Sequence, residues 1–101
     1  MESFKDVISS SKPVLVDFYA DWCQPCKTMS AILVQVKEIQ NNAIRIIKLN
    51  VDKNRETALK YSIQTIPTLM IFKDGKQLWR QSGVISVNEL NKIIEMFKHP
   101  L

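Results

Sequence analysis

Two cysteines, separated by two residues and set where an apolar run turns helical in period, constrain this chain more than any other feature. The run is Val14-Leu15-Val16-Asp17-Phe18-Tyr19-Ala20. It is rich in β-branched and aromatic residues and does not alternate, which is the pattern of a strand buried on both faces. Beyond Cys23-Gln24-Pro25-Cys26, the residues Met29, Ile32, Leu33, Val36 and Ile39 follow one face of a helix from about Pro25 to Gln40. A thiol pair at such a strand-to-helix junction can close a small disulfide and open it again.

Cys23 and Cys26 are the only cysteines in 101 residues, so no disulfide framework is possible. A structural zinc site takes four ligands. The one histidine, His99, lies in the terminal tail, where a solvated side chain is expected. No metal is expected in a monomer, although these residues leave open a metal shared across a dimer.

The remaining pattern completes one α/β domain over residues 1–101. Ser3 and Asp6 form a capping-box start to a short helix over about 3–10, with Phe4, Val7 and Ile8 on one face. Residues 44–51 read as a second strand. It follows the first through a helix, so the two are expected to be parallel with a right-handed crossover. Asn54 is placed to cap a short helix carrying Ala58, Leu59 and Tyr61. A third strand, 69–72, leads into Asp74-Gly75, which supplies the positive φ values of a type I′ hairpin turn. The fourth strand, about 77–82, is therefore antiparallel to the third, and Trp79 on it reads as sheet packing. Ser86 and Glu89 form a second capping box, ahead of a last helix with Val87, Leu90, Ile93, Ile94 and Phe97 on its apolar face. The sum is a mixed four-stranded sheet with helices on both faces, an arrangement open to few folds of this size.

Charge excludes some functions. The formal net charge is +4, but the lysines and arginines form no run, no basic helix and no aromatic-interleaved strand, so nucleic acid is not the expected partner. No apolar stretch has transmembrane length. Glu2, Lys5 and Asp6 put charge where a signal peptide is apolar, so a native start at Met1 implies a cytoplasmic protein.

Taken together, the motifs resemble the thioredoxin family. They are Val16-Asp17-Phe18-Tyr19-Ala20-Asp21-Trp22-Cys23, Pro25-Cys26-Lys27, Lys48-Leu49-Asn50-Val51-Asp52, Ile66-Pro67-Thr68-Leu69, Phe72-Lys73-Asp74-Gly75 and Gly83. They stand in family order over about residues 3–98. The resemblance implies a thioredoxin fold and a protein disulfide reductase. Cys23 is then the nucleophile, its pKa lowered at the helix N-terminus. Cys26 resolves the mixed disulfide. Asp17, a lone acid whose burial raises its pKa, assists proton transfer to and from Cys26. Lys48 on the adjacent strand is its candidate partner. Trp22, Gln24, Pro25, Ile66, Pro67, Gly83 and Val84 form the expected substrate surface. Trp22 covers an exposed Cys23, the Ile66-Pro67 bond is cis, and Gly83 lets a substrate backbone approach. No cofactor binds the chain itself. Its partners are disulfide-containing proteins and an NADPH-dependent flavoprotein reductase, and it acts as a monomer.

Four departures from the family pattern stand out. Gln24 replaces a glycine, Thr65 another glycine, and Ala31 a proline that kinks the helix, so a straighter helix is expected. The family's N-terminal strand is missing, which leaves the second strand at a sheet edge where Arg45 and Lys48 discourage further pairing. Two other readings stay open from residues alone. One is an oxidase or isomerase of an oxidising compartment, since Gln24 sits where the redox potential is tuned. The other is a non-catalytic protein-binding module.

Overall fold

The computed structural model describes residues 2–98, so His99 lies outside the described residues. The elements run α1 (Phe4–Ile8), β1 (Val14–Tyr19), α2 (Gln24–Gln40), a 3₁₀ turn (Asn41–Ala43), β2 (Arg45–Asn50), α3 (Arg55–Lys60), β3 (Thr68–Lys73), β4 (Lys76–Ser82) and α4 (Val87–Lys98). The sheet order is β2-β1-β3-β4. β1 pairs parallel with β2 and antiparallel with β3, and β3 pairs antiparallel with β4. This is the mixed four-stranded sheet that the pattern implies, with β2 at one edge.

Sequence period explains the central position of β1. Val14, Val16 and Phe18 point to one face, where they pack with Val7, Ile8, Met70 and Phe72. Leu15 points to the other face and packs under Met29, Leu33 and Val36 of α2 and Leu90 and Ile94 of α4. Asp17 shares that second face and is fully buried. A strand covered on both sides has no solvent-facing position at which to place its charge.

Local signals act as the residue types dictate. The Ser3 hydroxyl accepts from the Asp6 N–H at 3.1 Å, while the Ser3 N–H donates to the Asp6 carboxylate at 3.3 Å. Asp74 and Gly75 have φ of 53° and 81°, as a type I′ turn requires. Pairing shifts between Ile71 and Phe72, so β4 carries a bulge at Leu78. α2 runs unbroken through Ala31. Trp79 is half-buried against the α2/α4 core.

Four details differ from the sequence reading. Ile39 is 59% exposed, and the buried face of α2 ends on Gln40 instead. At 3.6 residues per turn, Ile39 lies about a quarter-turn from the centre of the Met29–Leu33–Val36 stripe, whereas Gln40 continues it. The Gln40 amide donates to Asn91 Oδ1 at 2.9 Å and its carbonyl accepts from Lys98 Nζ at 2.9 Å, so its polar atoms are satisfied against α4. Leu59 is likewise exposed, because α3 turns only Ala58 fully inward. Asn54 occupies the N-cap position of α3 without capping it. Its side-chain amide instead donates to the Asn50 carbonyl at 2.9 Å and ties the turn to the end of β2. At α4 only half of the expected box forms, the Glu89 N–H donating to Ser86 Oγ at 3.2 Å.

Candidate active site

The end of β1 and the start of α2 bring the cysteines together. Cys23 is the N-cap of α2 with extended backbone, Pro25 follows in the first turn where no N–H is needed, and Cys26 lies one turn in. The two are joined as a disulfide with Cα atoms 5.3 Å apart. The Cys26 N–H donates to Cys23 Sγ at 3.2 Å. Cys23 Sγ thus takes the capping role that a serine or aspartate oxygen usually fills, at the positive end of a 17-residue helix.

Neither sulfur is openly exposed. Cys23 is 4% and Cys26 3% exposed, packed with Ala20 and flanked by Tyr19, Val51 and Ile66. The expectation of an exposed Cys23 is therefore corrected. Ile66 arrives on the loop before β3, and its carbonyl oxygen lies 3.8 Å from Cys23 Sγ. The Ile66-Pro67 bond is cis. Thr68 holds this loop in place: its hydroxyl donates to the Thr65 carbonyl at 2.6 Å and meets Ser82 Oγ at 2.9 Å. Gly83 donates its N–H to the Pro67 carbonyl at 2.8 Å. Its φ of +91° lies in the region that favours glycine, and the position where a Cβ would project is open. Val84 beside it is exposed, as are Gln24 and Pro25. Trp22 is 72% exposed, and its ring N–H donates to Asp52 at 2.9 Å. The indole is thus fixed to the turn that follows β2 and does not lie buried over the sulfur.

Asp17 lies fully buried on β1, two residues before Tyr19, which flanks the cysteines. Both Asp17 oxygens are buried and accept no hydrogen bond from the described residues. Burial raises its pKa from the ordinary 3.8 to about 6, with the positive charge of Lys48 acting in the opposite sense. Lys48 is its direct register partner on β2, as expected. The ammonium makes no ion pair with Asp17, however. It donates to Ser30 Oγ at 2.7 Å and lies 4.6 Å from the centroid of the Tyr19 ring. Lys48, Ser30 and Tyr19 line a cleft of about 360 Å³ that also reaches Cys26, Asp21 and Lys27.

Sequence reasoning passed over Ser30, Tyr19 and Asp52 as site residues. Asp52 stands in the quoted β2 motif, but its role depends on where Trp22 lies. Ser30 carries no signal until α2 is laid across β2. Among the described residues, no cluster of three or more histidine, cysteine or acidic side chains is placed to hold a metal ion.

The comparisons agree with this geometry. The family model described as Thioredoxin matches residues 1–96. A thioredoxin of Acidithiobacillus ferridurans is 42% identical over 95 residues, covering 93% of this chain and 88% of that protein. A chloroplastic Y-type thioredoxin of Arabidopsis thaliana is 45% identical over 94 residues, covering 92% of this chain and 56% of that longer protein. Among solved structures, a mutant thioredoxin from Halobacterium salinarum NRC-1 matches with a TM-score of 0.86 at 33% identity, covering 96% of this chain and 84% of that one. Sequence, fold and a redox-active cysteine pair at the head of α2 converge on one statement: this chain belongs to the thioredoxin family of thiol–disulfide oxidoreductases.

Proposed function

We propose that this one-domain chain reduces protein disulfides, with Cys23 as nucleophile and Cys26 as resolving thiol. The observation that carries this assignment is the hydrogen bond from the Cys26 N–H to Cys23 Sγ at the N-terminus of α2. A thiolate on Cys23 gains that bond and the helix dipole, whereas the Cys26 sulfur, one turn into α2, accepts no N–H from the described residues.

The reduced pair starts with Cys23 as thiolate and Cys26 as thiol. Cys23 Sγ attacks one sulfur of a substrate disulfide. A Cys23–substrate bond forms, the substrate disulfide breaks, and the first substrate sulfur leaves as a thiolate that takes a proton from water. Cys26 then gives its proton to the Asp17 carboxylate and attacks Cys23 Sγ. The second substrate thiolate leaves, and the Cys23–Cys26 disulfide remains. Two electrons have passed to the substrate. A carboxyl with a pKa near 6 is a stronger base than an ordinary aspartate, yet ionised at neutral pH.

Substrate docks beside the sulfurs, on the exposed Trp22, Gln24, Pro25, Gly83 and Val84 and the half-buried Ile66, with the buried Pro67 holding the cis bond next to them. Pro67 has no N–H, and the exposed Thr65 precedes the cis bond, so an extended substrate segment can pair with backbone there. All these residues come from one chain, so a monomer suffices. Thioredoxins act on disulfide-containing substrates and are re-reduced by thioredoxin reductase. For this chain the donor is a flavoprotein of that kind, using NADPH. The cysteines must begin reduced, which suits the cytoplasm.

Insulin reduction by dithiothreitol tests the reading. The wild-type protein is expected to accelerate precipitation of the insulin B chain, and Cys23→Ser to fall to the uncatalysed rate. Wild-type protein no faster than dithiothreitol alone would remove the reductase assignment.

A further inference from the structure

Lys48 and Asp17 are direct cross-strand neighbours on one face of the sheet, yet the ammonium turns away from the buried carboxylate. Two contacts account for where it goes. Ser30 Oγ, one turn past Cys26 on α2, accepts from Lys48 Nζ at 2.7 Å. The Tyr19 ring holds the same ammonium at 4.6 Å from its centroid, a cation–π distance. Ser30, Tyr19, Lys48 and Cys26 line one cleft.

We infer that Ser30 is a positioning residue: with Tyr19 it holds the Lys48 ammonium on the cleft wall and keeps it from pairing with Asp17. The inference rests on the reading of Asp17 as proton acceptor, and it specifies what keeps that acceptor basic. An ammonium on the carboxylate would hold Asp17 ionised to lower pH and make it a poorer base for the Cys26 proton. Among the described residues little else on this face competes. β3 places Leu69 opposite Asp17, α2 contributes Cys26 and Met29, and α4 packs Leu90 and Ile94 on the same core. Lys27 and Asp21 line the same cleft as Lys48, and among the described residues Lys48 is the one charge that moves the Asp17 pKa.

Ser30→Ala removes the acceptor and favours the helix. Asp17 carboxyl titration, followed by ¹³C NMR in the reduced protein, reads the result. The midpoint is expected to fall by about 1 pH unit as Lys48 is released toward the carboxylate. Ser30→Thr, which keeps the hydroxyl, is expected to titrate like wild type. In a Lys48→Met background, Ser30→Ala is expected to produce no shift, since the cycle isolates the pair. The acid limb of the exchange rate should move to lower pH with the midpoint. An unchanged midpoint in Ser30→Ala, or an equal shift without Lys48, would overturn the inference. A shifted midpoint with an unmoved rate profile would support the positioning role and overturn the proton role of Asp17, so the two fail separately.

Discussion

Cys26→Ser is expected to stop the reaction halfway. Cys23 keeps its place at the N-terminus of α2 and still attacks a substrate disulfide, but a serine hydroxyl does not displace a thiolate from the mixed disulfide. Substrate protein therefore stays bonded to Cys23. A non-reducing gel should show a covalent complex, intact-mass analysis should give one substrate per chain, and dithiothreitol should release it. Turnover should drop to the level of Cys23→Ser. The two variants are thus equal in activity and opposite in what they capture. A Cys26→Ser protein that turns over insulin normally, or captures nothing, contradicts the division of roles.

Asp17→Asn is expected to raise stability and lower rate together. A folded pKa of about 6 against an ordinary 3.8 means that the fold prefers the protonated acid. The sign follows from that. The wild-type fold carries no penalty below pH 4, loses stability as pH rises from about 4 to 6, and is flat above. The gap corresponds to about 3 kcal/mol. A buried amide with imperfect partners returns about 1 kcal/mol of this. Asp17→Asn should therefore be more stable by about 2 kcal/mol at pH 8 and less stable by about 0.5 kcal/mol at pH 4, where the acid is mostly protonated and only the amide cost remains. Urea denaturation at the two pH values measures both. The same variant loses the proton acceptor for Cys26, which should slow the resolving step by about 100-fold at pH 7. The loss should shrink above pH 9, where a thiol ionises without help. Equal stability at pH 4 and 8, or an unaffected rate at pH 7, counts against the buried-base account.

How far the sequence carries this account differs from residue to residue. The unalternating run at Val14–Tyr19 is legible because a strand covered on both faces has nowhere to put polar side chains. Asp17 is legible for the same reason, as the exception to the run. The hairpin follows from Asp74-Gly75, since few residue pairs accept two positive φ values. Cys23, Cys26 and the cis Ile66-Pro67 bond follow from resemblance in motif, not from periodicity. What stayed hidden depends on tertiary distance. Trp22 is fixed by Asp52, 30 residues away, and Lys48 by Ser30, 18 residues away. Register places Lys48 beside Asp17, but only the crossing of α2 over β2 brings an acceptor that draws the ammonium off. Ile39 and Gln40 show the limit of periodicity: residues at the margin of a helical stripe are decided by what the neighbouring helix offers.

The central claim is that helix position, not exposure, selects the attacking sulfur. Exposure cannot select it, because both cysteines are almost fully buried. Limiting iodoacetamide added to the reduced protein at pH 7, followed by peptide mass analysis, tests the claim directly. The account predicts carbamidomethylation on Cys23 with Cys26 unmodified; label on Cys26 first would contradict it.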